Sequence, residues 1–387
     1  MKSASFHVSQ CLSQRVLNLE SLPQDNFNLS ERKEPLSRLD KVFAAKANIG
    51  SEKDFSEWAD PAHLFKLKKE LSSFHQIPEN QIHIAQAYSE MITQIFSCFT
   101  EKNQSFYHLG PSSHYLKKSC IQFEINHLEI PLNLLFQVQK SAFHSNSFGE
   151  GKLLYLSHPN HISGIPLRLF DILEICETFE GIVIADERFL GYAQIDSCIS
   201  LLDTCPNLII IKSFAYEWGL GGIGYCYSIS SAEITKYLPL FAEMDAFSKT
   251  VIDMACLALT FPEKRERSIN ETLELKKELI QFLSEKNFVQ EIFHSEAGFV
   301  FIQVQDARKL FQYLLDHQIL VSYHPTCEYY EQCLTIAIGN SLSQQKLLKT
   351  LDAYAKDNSG FHLMVKEISK KLQKASSFFG IFKKIFS

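Results

Sequence analysis

Three short segments constrain this chain more than anything else in it: KLLYLSH (152–158), GIVIADE (181–187) and NLIIIKS (207–213). Each is almost continuously apolar and is bounded by polar residues, glycine or proline. A strand that faces solvent on one side alternates apolar with polar residues, whereas a strand buried on both faces reads as an unbroken apolar run. Helical stretches such as LRLFDILEICETF separate the three segments. That alternation predicts a largely parallel sheet with helices on both sides, an α/β class of fold.

The surrounding sequence extends the pattern. Leu64, Leu67, Leu71 and Phe74 recur at three- and four-residue spacing after Pro61, the signature of an amphipathic helix. QIHIA then reads as a strand and Ser89 to Phe99 as a helix, with Met91, Ile92, Ile95 and Phe96 on one side. SFYHL reads as a strand stopped by the Gly110-Pro111 turn. Beyond residue 249 the texture changes to helix (ETLELKKELIQFLSEKN), strand (GFVFIQV), helix (ARKLFQYLLDHQ) and strand (LTIAIG), an α+β unit. The expected division is an N-terminal arm over 1–58 that joins the small domain, a large domain over 59–249, a small domain over 250–355, and a tail helix over 361–387.

The tail has its own chemistry. Val365, Ile368, Leu372, Ala375, Phe379, Phe382 and Phe386 fall on one helical face, and six lysines stand against the single Glu367. A basic, phenylalanine-rich amphipathic helix suits peripheral contact with an anionic membrane, or packing on the acidic body or on a second subunit. The whole chain carries a net charge of −6, which argues against nucleic acid as a partner. No apolar run is long enough to span a bilayer, and the first twenty residues do not read as a signal peptide. The ten cysteines form no C-x-x-C pair, so neither a zinc ribbon nor a redox motif is expected. A reducing, cytoplasmic setting fits them.

Sites in parallel sheets lie beyond the carboxyl ends of the strands. The loops there carry His158-Pro159-Asn160-His161-Ile162-Ser163-Gly164, then Asp186-Glu187-Arg188-Phe189, then Ser213-Phe214-Ala215-Tyr216-Glu217-Trp218-Gly219-Leu220-Gly221-Gly222. An acid at a strand end, such as Asp186, can cap a helix or hold a cation, a metal or a protonated ring nitrogen. His158, His161 and Glu187 are ligand-type residues, but the two histidines share a loop without a helical frame, so no metal is expected.

In order and spacing, these segments resemble the fold type I pyridoxal-phosphate-dependent aminotransferases, most closely the histidinol-phosphate aminotransferase and threonine-phosphate decarboxylase branch. HPNHISG is similar to NPNNPTG, IVIADE to the strand ending in the pyridinium-binding Asp, and SFAYEWGLGGIGY to SFAK-x-x-GLAG-x-R-x-GY. The resemblance implies an αβα large domain, an α+β small domain, a homodimer, and pyridoxal phosphate held by Asp186, Ser213, Ser89 and His161. It also places Tyr216 where the family has its Schiff-base lysine, Gly224 at the phosphate arginine, Thr335 at the carboxylate arginine and Ser113 at the stacking aromatic. Tyrosine cannot form a Schiff base.

The expectation is therefore an aminotransferase-like protein that is not a working transaminase and is non-catalytic or turned to binding a small molecule or partner. The alternatives are an enzyme holding pyridoxal phosphate non-covalently, and a cofactor-independent enzyme with Tyr216, His161 and Asp186 as acid/base groups.

Overall fold

The computed structural model describes residues 61–110, 114–133, 151–242, 247–324 and 331–357, together with the short strand β1 (Phe27–Asn28). The tail over 361–387, Ser113, and the arm apart from β1 lie outside the described residues.

Seven strands form the main sheet: β2 (Ile82–Ala85), β3 (Ser105–Leu109), β4 (Asn126–Ile130), β5 (Gly151–Ser157), β6 (Ile182–Asp186), β7 (Leu208–Ser213) and β8 (Cys226–Ser230). Their spatial order is β2-β8-β7-β6-β5-β3-β4. Only the two pairings of β8 are antiparallel, and the rest are parallel. The apolar runs behave as their composition requires. Leu153 and Tyr155 of β5, Ile184 of β6, and Ile209 and Ile211 of β7 point into one cluster with Met91, Ile95 and Phe96 of the helix Tyr88–Phe99. Leu154, Leu156, Val183, Ala185, Leu208 and Ile210 point the other way, against the helices Pro61–His75 and Leu169–Thr178. Successive side chains alternate across the pleat, so a run with no polar break fills both layers at once.

A second sheet has the order β12-β13-β10-β9, all antiparallel, from β9 (Val289–Phe293), β10 (Phe299–Val304), β12 (Ser322–Tyr323) and β13 (Cys333–Ala337). The helices Pro262–Ser284 and Ala307–Asp316 bury Leu279, Leu283, Leu310 and Leu314 against it. The arm meets this part of the chain, because Phe27–Asn28 pairs in parallel with β11 (Ile319–Leu320). The helix Lys249–Leu259, just beyond residue 249, buries Ile252, Ala255 and Cys256 in the core under the main sheet.

Between β3 and β5 the connections reverse direction: from β3 the chain first steps outward to the edge strand β4, then returns to the other side of β3 and proceeds through β5, β6 and β7. Reversals of this kind open a crevice at the carboxyl ends of the strands. His158, Asp186 and Ser213 lie at or just beyond the ends of β5, β6 and β7. Leu154 is fully buried in this layer. Leu154→Ala should lower the unfolding free energy by about 2–5 kcal/mol, read by urea denaturation with an unchanged m-value.

Candidate functional site

Two consecutive acids end β6, and the pleat sends them to opposite faces. Asp186 is 1% exposed and sits on the face of Tyr155. Its cation comes from two residues along the chain. Arg188 donates from Nε to both carboxylate oxygens at 2.9 and 3.0 Å, from Nη2 to Oδ2 at 2.7 Å, and from its backbone N–H to Oδ1 at 3.1 Å. The Tyr155 hydroxyl donates to Oδ2 as well, and Tyr88 donates to the Tyr155 hydroxyl at 3.1 Å. The guanidinium carbon lies 3.5 Å from the centre of the Tyr88 ring and 5.9 Å from that of Tyr216. Burial pushes the Tyr88 and Tyr155 hydroxyls above the ordinary phenol range, and the nearby Asp186 carboxylate adds to this. Burial opposes the charge on Arg188, but Asp186 overrides it and holds the guanidinium charged.

Glu187 turns to the other layer. It pairs with Lys212 at 2.7 Å, and both side chains are buried. It also accepts from the Ser197 hydroxyl at 2.5 Å and the Cys198 backbone N–H at 2.6 Å. Burial alone would raise its carboxyl, yet the Lys212 ammonium, His158 and these hydrogen bonds bring it below the usual range.

His158, Glu187 and Cys198 bring potential metal-ligand atoms within 4.8 Å of one another. Hydrogen bonding argues against a metal there. His158 Nδ1 accepts the Leu167 backbone N–H at 3.0 Å, which puts the ring proton on Nε2, the nitrogen that would have to ligate. Glu187 already holds the Lys212 ammonium, and burial pushes the Cys198 thiol upward, away from thiolate.

The remaining candidates are placed as follows. Tyr216 packs with Phe189, Ala297, Phe299 and Ala337, its ring 4.2 Å from that of Phe189. Its backbone carbonyl accepts from the Tyr192 hydroxyl at 2.8 Å. Ser213 spends its hydroxyl within its own turn, accepting from the Ala215 N–H at 2.9 Å and donating to the Tyr225 carbonyl at 3.3 Å. Ser89 is exposed at the start of the helix Tyr88–Phe99. His161 is buried with neither ring nitrogen hydrogen-bonded among the described residues, and burial holds it down to about 3. Thr335, fully buried in β13, donates to the Ile162 carbonyl at 3.1 Å and lies 2.9 Å from His324 Nε2. Gly224 has φ +65°, the left-handed region that favours glycine. Arg188 connects three of the candidates: it pairs with Asp186, lies 5.9 Å from the Tyr216 ring and, with Asp186, acts electrostatically on His161. The Ser213 hydroxyl is engaged by Ala215 and Tyr225, and Ser89 is exposed.

The family model for aminotransferase class I and II matches residues 24–353. This chain belongs to that family. A histidinol-phosphate aminotransferase of Christiangramia forsetii is 28% identical over 323 residues, covering 80% of this chain and 88% of the relative. Among solved structures, the histidinol-phosphate aminotransferase from Clostridium acetobutylicum superposes with a TM-score of 0.76 at 17% identity, over 85% of this chain and 99% of that one. The Sinorhizobium meliloti enzyme, solved in complex with pyridoxal-5'-phosphate, gives 0.76 at 16% identity, over 86% and 91%. The fold is the fold type I aminotransferase architecture, with a mostly parallel sheet flanked by helices.

Against an aminotransferase cofactor, the decisive group is Asp186. Each of its oxygens already accepts at least two hydrogen bonds, which leaves no open lone pair for a pyridine N–H. Arg188 supplies most of these hydrogen bonds, and its only signal in the sequence is a cation two residues after a strand-end acid.

Two predictions follow from these buried charges. Glu187→Ala strands the Lys212 ammonium in the core and should cost about 3–5 kcal/mol, measured by denaturant unfolding at pH 7. The second concerns acid. Burial first of all holds His75, His108 and His161 to about 3 and His324 to about 4. Each stays neutral in the folded chain while its unfolded counterpart takes a proton below about pH 6.5. The associated stability is full above that pH and is lost as pH falls, by about 1.4 kcal/mol per unit for each group. Glu187, depressed below 4.5, adds to the loss in the same direction at lower pH. Unfolding free energies measured from pH 7 to 4.5 should fall steeply, and His161→Gln should flatten the slope by about one such increment.

Proposed function

We propose that this member of the aminotransferase family is not a working transaminase and uses the fold for non-catalytic or binding duties. One observation carries the reading: the carboxylate that would pair a pyridinium nitrogen is saturated by Arg188 and Tyr155. The residues around it agree. Tyr216 at the lysine position has no amine. Lys212, four residues earlier, is committed to Glu187 in the core and is not available to replace it. Gly224 and Thr335 supply no cation for a phosphate or a substrate carboxylate, and a dianionic phosphate needs one. These residues do not fit pyridoxal phosphate.

The cofactor-independent alternative loses its base by the same geometry. Asp186 is locked in a bidentate pair, and a neutral His161 has no hydrogen-bonded partner among the described residues to orient it. The family resemblance also suggests a homodimer, which sedimentation velocity would register.

The reading is tested by titrating the purified protein with pyridoxal phosphate, reducing with borohydride and recording the intact mass. The expected result is the spectrum of free cofactor and no mass increment after reduction. A shifted absorption band with a reduced adduct on any lysine, or turnover of an amino donor, would sink the proposal.

A further inference from the structure

Arg188 does more than neutralise a carboxylate. A guanidinium is planar, cationic and delocalised. It pairs with a carboxylate in its plane and offers its face to an aromatic ring. Those are the properties by which a protonated pyridine ring would be held at the same acid. Every part of that recognition is present and satisfied from within the chain. In-plane donors reach both oxygens of Asp186, and the face of the group lies 3.5 Å from the centre of the Tyr88 ring. Tyr155 completes the shell, and the Arg188 backbone N–H joins it, so the turn after β6 directs the side chain back over its own strand end. Arg188 and Asp186 side chains are 11% and 1% exposed, which places the pair inside the crevice and not at its rim.

We infer that Arg188 is a built-in occupant of the crevice, standing where a cationic aromatic ring would bind and closing the site to such rings independently of the residue at position 216. The inference rests on the proposed function and deepens it. Loss of the lysine explains why no covalent bond forms, while Arg188 explains why the ring has no seat. It follows that restoring an amine alone does not restore the site.

The experiment compares Tyr216→Lys, Tyr216→Lys with Arg188→Ala, and Tyr216→Lys with Arg188→Gln. Arg188→Gln leaves Asp186 a donor, which covers the case in which Arg188→Ala fails to fold. Folding is verified for each variant by thermal melting. Each is incubated with pyridoxal phosphate, and separately with pyridoxal, which needs no phosphate clamp. The samples are then reduced with borohydride and peptide-mapped around position 216. Tyr216→Lys should stay essentially unlabelled there. A folded double variant should carry roughly tenfold more label, the increment one charge-assisted hydrogen bond commands in affinity. Equal labelling of Tyr216→Lys and the folded double variants would overturn the inference. That result does not touch the proposed function, which fails only if the unmodified protein is itself labelled or active.

Discussion

Two acids in sequence at the end of a buried strand leave in opposite directions, and neither can stay charged in an apolar layer without a cation. The architecture around the crevice answers this requirement twice. Glu187 takes Lys212 from the end of the neighbouring strand and pins the 197–198 turn through two more hydrogen bonds. Asp186 takes Arg188 from its own turn and orders Tyr155 and Tyr88 behind it. The first arrangement ties β6 to β7 and to the layer beneath. The second determines what the crevice can accept. Both oxygens of this acid are filled by donors from the chain itself.

Much of this architecture is legible in the sequence. The unbroken apolar runs of β5, β6 and β7 are intelligible only as strands buried on both faces, and that is where they lie. The loops beyond them are those that form the crevice. Several elements escaped the pattern, among them β4 and the helix Lys249–Leu259, and two show why. The segment CYSIS of β8 mixes serine and cysteine with one isoleucine, so its complete burial is not announced by hydropathy. The helix over Pro262–Ser284 begins nine residues ahead of its apolar periodicity, on a charged stretch opened by proline.

At the site, Tyr216, Gly224 and Thr335 stand out in sequence because each differs in kind from the residue that the family resemblance implies at its position. Arg188 is not visible that way. Whether a side chain two residues past an acid turns back on it or runs outward depends on the backbone of the turn, which no periodicity records. His161 shows the converse. A histidine in the right loop reads as a candidate acid or base, but its value depends on partners, and among the described residues neither nitrogen has one.

The locality of the Asp186–Arg188 pair has a thermodynamic consequence. A protein whose buried acid waits for a small molecule is stabilised by mass action, and its stability rises and falls with the supply of that molecule. A counter-ion two residues away along the same chain is present at fixed effective concentration from the moment the strand forms. The charge on Asp186 is therefore balanced from within the chain, and the folded state needs no small molecule to supply it at this acid.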